Sequence, residues 1–277
     1  MKFRPWSNPV PFILITLVSI IIGRIIEYFI HESGHFATAW MMGITMTPDP
    51  MQAIITTPIH ITRYQTGIYG FSESFQYIPY MSGLDVSSAS MTAIGGLLFN
   101  ALAAVLCFWI FLKSRGIKYK SLMTLSLWVL IFNLGALFSY IPMRVFEVTG
   151  DVGFFLSSLS VHPVIFLFPT LILIAAGLII YFSVILPLYC LSIPVKNKFI
   201  RFFILLCSTI ILFMYMAGPI STELRISDIM TLPEMINIFP VLVIGQCIFL
   251  IALLLVGLLR LNSLQSSRYL GAKKKVA

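Results

Sequence analysis

The chain has 277 residues, 59% of them hydrophobic and only 10% charged, with a net charge of +8. Soluble domains carry about 25% charged residues, so a water-soluble globular protein is excluded and an all-α polytopic membrane protein is expected. The basic residues sit in short stretches between apolar runs, which fits orientation in a bilayer, and no nucleic-acid partner is expected.

Six apolar segments follow one another, each long enough to cross a hydrocarbon core of about 30 Å as a helix. The first starts near residue 12, and the others span about 91–112, 122–141, 164–191, 199–217 and 238–261. Lys2 and Arg4 followed by an oily run resemble a signal peptide. No small-residue cleavage site follows, so an uncleaved first span is expected. No proline interrupts residues 12–42, and Gly43 offers a stop. At about 1.5 Å per residue that helix outruns the core, so tilt or a protruding end is expected. Residues 43–90 are rich in Thr, Ile and Tyr with interspersed Pro and Gly, and read as a small β-containing loop region. Cys107, Cys190, Cys207 and Cys247 lie inside apolar runs without close pairs, as small buried hydrophobes do.

Charge separates by loop. Fourteen of the 18 basic residues, and no Asp or Glu, fall at the two termini and in the 113–120 and 196–201 loops. The alternate loops hold Arg63, Arg144 and Arg225 against eight acids. Positive-inside bias then places both termini in the cytoplasm of a multi-pass protein of the cell membrane.

The stretch "GRIIEYFIHESGHFATAW", residues 23–40, closes the first span with five ionisable residues. Such groups are expensive in lipid and need a reason to be there. His31 and His35 are four apart, so on a helix both imidazoles share one face. Two such nitrogens can bind one Zn²⁺, and Glu32 falls where a general base for a metal-bound water is needed. Chance explains the spacing poorly in a chain with four histidines. Arg24 and Glu27 read as a helix ion pair, and Glu27 is also one turn before His31.

A catalytic zinc needs a third protein ligand and an open position. His60, His162 and the acids of the acidic side are the candidates, Asp151 foremost, ahead of Glu147 and His162. Asp151 follows Gly150 in a turn leading into an apolar run, where an aspartate also serves as a helix N-cap.

Three segments together resemble the site-2 protease family of intramembrane zinc metalloproteases. The first is "HESGH" with Ala37 beyond it. The second, "GGLLFNALAA" at 95–104, is similar to the family's Gly-Pro-x-x-Asn element, with Gly96 in place of the proline. The third, "NLGALFSYIP" at 133–142 followed by "GDVG", is similar to its Asn…Pro…Asp-Gly element. The resemblance covers roughly the first 160 residues and implies Asp151 as the third zinc ligand beside His31 and His35. Two departures stand out: "MRVFEVT" is inserted before Asp151, and Val152 separates Asp151 from Gly153. Well-known members keep the zinc nearer the cytosolic face, whereas the charges here put it towards the opposite face.

The expectation is therefore a single membrane domain, 1–277. Residues 1–160 would form a metalloprotease core, and 161–277 would add three helices. Zn²⁺ is the expected cofactor. A membrane protein or peptide is the expected substrate, cut in or near the bilayer. The segment 44–69 could receive an unwound substrate by strand addition. The alternative is a non-proteolytic membrane protein, a scaffold or metal carrier, that retains the metal site. A prenyl-peptide-processing type of HExxH enzyme would need a glutamate in a later helix, and the later spans contain none.

Overall fold

The computed structural model describes residues 8–42, 60–63, 69–72, 86–114, 120–145, 151–195 and 197–212. Most of the 43–90 loop, Glu147 and the sixth apolar segment lie outside the described residues.

Helix α1 runs Pro9–Met41. Asn8 caps it by accepting from the Val10 amide at 3.0 Å, and Pro9 sets the first turn. At 33 residues it is about 50 Å long, well beyond a bilayer core. One stripe along it is wholly apolar: Val10, Leu14, Leu17, Ile21, Ile25 and Phe29 recur at helical spacing and are all exposed, as a lipid-facing surface requires. The opposite face, with Thr16, Ser19, Gly23, Glu27, Gly34, His35 and Thr38, is buried.

Two strands, β1 (His60–Arg63) and β2 (Tyr69–Ser72), pair antiparallel with His60 opposite Ser72 and Arg63 opposite Tyr69. Helix α2 (Val86–Ser114) then returns along α1. The two cross where Gly34 meets Gly95. A Cβ on Gly95 would stand 2.6 Å from the Gly34 carbonyl oxygen, so only hydrogen at both positions allows the approach.

Helix α3 (Lys120–Gly135) is the centre of the bundle: Ser126 through Asn133 are buried without a break, so no face of that stretch meets lipid. It continues through a π-helical turn, Ala136–Tyr140, into the short α4, Ile141–Arg144. Helix α5 (Asp151–Ser158) is brief and docks on α2 through a small cluster of Val145, Val152 and Leu156 around Leu97. It ends in a Schellman-type turn. The Val161 amide donates to Leu156 O at 3.0 Å, and Ser160 takes the left-handed conformation at φ 53°. Helix α6 (Pro163–Ile180), a second π-turn (Tyr181–Ile185) and α7 (Leu186–Ser192) form one long rod. Helix α8 (Lys198–Leu212) packs beside it.

Four helices among the described residues are long and apolar enough to cross a membrane: Pro9–Met41, Ser90–Ser114, Lys120–Phe138 and Pro163–Ser192. The chain is accordingly an integral membrane protein. The described part of the fifth apolar segment is the apolar helix α8, and residues 213–217 of that segment lie outside the described residues.

Candidate metal centre

His31 and His35 project from the buried side of α1, one turn apart, as the four-residue spacing dictates. Their rings meet edge to face, with centroids 4.8 Å apart. Asp151, 120 residues beyond His31, sits in the first turn of α5. Packing of Val152 and Leu156 against Leu97 carries that turn onto α2 and thereby to α1. The three side chains converge and are the group of potential metal ligands found among the described residues.

The spacing can be tested against the chemistry. His31 Nε2 is 2.9 Å from Asp151 Oδ2, His35 Nε2 is 3.5 Å from Asp151 Oδ1, and the two Nε2 atoms are 3.2 Å apart. Zinc bonds of about 2.0–2.2 Å at tetrahedral angles place ligand atoms about 3.4 Å from one another. The three residues therefore fit a four-coordinate divalent cation, with one position left over for water or substrate.

The His35 tautomer follows from a neighbour. Its Nδ1 is 2.7 Å from the carbonyl oxygen of Thr92 on α2. A carbonyl only accepts, so Nδ1 carries the hydrogen and Nε2 keeps its lone pair for a ligand role. His35 and Asp151 are buried, at 2% and 4% exposure, so the cluster is shielded from bulk solvent. Burial alone would push the Asp151 carboxyl up, but the imidazoles of His35 and His31 outweigh it and hold the carboxyl well below the usual carboxylate range.

Glu32 is also buried, and it follows His31 directly on α1. It thus lies close to the cluster without belonging to the three potential ligands.

Two features go beyond what the sequence alone conveys. Gly96 lies directly against both imidazoles: a Cβ there would be 2.6 Å from His35 Nε2 and 2.8 Å from His31 Cε1. Asn100, one turn further along α2, donates from Nδ2 to Glu27 Oε1 at 3.1 Å, and Arg24 bonds the other carboxylate oxygen. The adjacent glycines in "GGLLFN" are the sequence signal for a close approach.

His162 caps α6, accepting from the Val164 amide through Nδ1 at 3.3 Å. His60 opens β1, and Glu147 lies outside the described residues. Asn133 is buried in α3 and donates to the Val129 carbonyl at 2.7 Å. No family model, curated protein or solved structure matches this chain.

Proposed function

We propose that this chain is a membrane-embedded zinc endopeptidase of the site-2 protease type, hydrolysing a peptide bond of a membrane protein or peptide in or near the bilayer. The observation that carries the reading is the convergence of His31, His35 and Asp151 from two distant helices beside a buried Glu32. His31 and His35 Nε2 with one Asp151 carboxylate oxygen would hold the ion. When bound, zinc supplies Lewis acidity to a carbonyl and lowers the pKa of a water towards about 7.

The protein's own part is distinct. Glu32 takes the proton from the attacking water and passes it to the leaving amine. Thr92 fixes the ring of His35, and Gly96 keeps the space beside both rings clear of side-chain atoms. A retained carboxylate base is what separates this reading from a metal carrier or scaffold, neither of which uses one.

In this reading the chain has six spans with both termini in the cytoplasm of the cell membrane, as its basic loops favour. The site then opens towards the opposite face. A substrate helix hides its peptide bonds and must unwind before cleavage, and β1, His60–Arg63, would receive it by strand addition.

The test compares purified wild type with Glu32→Gln. Both are expected to hold about one zinc per chain, and whole-membrane proteomics is expected to find substrates that accumulate uncut only with Glu32→Gln. A wild-type protein that binds no zinc at neutral pH overturns the proposal.

A further inference from the structure

Glu27 and Asn100 are an unusual pair to find inside a membrane bundle. Glu27 is 3% exposed and Asn100 is 0% exposed. An ionised carboxylate at such depth is costly and needs compensating partners. Both of its oxygens have one: Asn100 Nδ2 from α2 on Oε1, and Arg24 from its own helix on Oε2.

Position makes the pair more than a local ion bridge. Helices α1 and α2 run antiparallel, and three contacts between them fall at one-turn intervals. Glu27 meets Asn100, His31 meets Gly96, and His35 meets the Thr92 carbonyl. Each step is four residues forward along α1 and four back along α2. The pair is thus the first rung of a ladder whose next two rungs are the metal-binding histidines.

Register along this ladder matters because Gly96, with no side chain, leaves room for the rings. Sliding α2 by one turn, about 6 Å, would present Thr92 or Asn100 there instead. Apolar contacts between helices in lipid are non-directional and discriminate weakly between such registers. A buried donor–acceptor pair discriminates strongly, because a slip leaves a carboxylate and an amide unsatisfied.

We infer that Glu27 and Asn100, steadied by Arg24, are positioning residues that set the register of α2 against His31 and His35 and so shape the metal centre. This inference rests on the proposed metal centre.

The experiment uses the full chain in detergent with Co²⁺ as probe, reading affinity by chelator competition and ligand geometry by visible d–d absorption. Wild type is expected to give an intense four-coordinate spectrum. Asn100→Ala and Asn100→Asp, the latter setting two carboxylates face to face, are each expected to weaken Co²⁺ binding about 10–100-fold and to alter the band shape, as loss of a residue supporting the ligands does. The exchanged pair, Glu27→Gln with Asn100→Asp, places the amide on α1 and the carboxylate on α2 and keeps Arg24 as counter-ion. It is expected to recover affinity and spectrum. If Asn100→Ala does not fold, the exchanged pair against Asn100→Asp alone decides. Recovery supports the inference, and no recovery overturns it. Wild type that binds Co²⁺ with single variants indistinguishable from it overturns the positioning role alone. Wild type without any Co²⁺ spectrum overturns the metal centre itself.

Discussion

His35 turns its Nδ1 to the carbonyl oxygen of Thr92 at 2.7 Å and its Nε2 to His31 and Asp151. A main-chain acceptor on α2 therefore fixes the ring of a candidate ligand on α1, and no side-chain substitution at position 92 removes that acceptor. Thr92→Val is expected to leave zinc content unchanged, because the carbonyl persists; metal analysis of the purified variant checks this.

Removing a ligand acts more severely. His31→Ala, His35→Ala and Asp151→Ala are each expected to lower zinc affinity by more than about 100-fold, beyond the cost typical of a supporting residue. Chelator competition measures the loss. Retention of wild-type affinity by any one of the three would remove that residue from the ligand set.

Glu32→Gln separates metal binding from catalysis. Zinc content is expected to persist while peptide hydrolysis falls about 10²–10⁴-fold, the usual contribution of a general base. A variant with near-normal turnover would assign the base elsewhere.

Gly96→Ala tests the close packing beside the rings. The added Cβ would stand 2.6 Å from His35 Nε2, a separation no real structure sustains, so the imidazoles must move. Zinc affinity is expected to drop at least about tenfold while the protein still purifies as a monodisperse species. Unaltered affinity would show that α2 yields instead.

Proton competition gives the sign of the pH dependence. Ligation requires neutral imidazoles and an ionised carboxylate, so metal uptake releases protons. The Asp151 carboxyl is held well below the usual carboxylate range, which favours the ionised form that ligation needs. Zinc affinity is expected to rise with pH, by up to about tenfold per unit for each proton displaced. Calorimetry in two buffers of different ionisation enthalpy counts those protons.

Local spacing makes part of this architecture legible. The uninterrupted run into residue 42 announces α1, and the four-residue step announces that His31 and His35 share a face. Asp151 is a candidate from its loop, but only Val152 and Leu156 packing on Leu97 explains how it arrives at α1. Asn133 belongs to the same family-like segment, yet α3 keeps its amide bonded within its own helix. The bonds of Glu27 to Asn100 and of His35 to Thr92 are illegible in the sequence, because each depends on which helices are neighbours and in what register. The π-turns after Gly135 and Ile180 likewise leave no mark in the periodicity of the apolar residues.

The distance along the chain between His35 and Asp151 has a consequence for biosynthesis. A ribosome delivers both histidines with the first helix, and the aspartate only after two more spans have been threaded into the bilayer. Until then the nascent chain presents two imidazoles and no carboxylate to complete the set. Insertion order alone therefore delays the meeting of His31, His35 and Asp151 until the first three spans are in place.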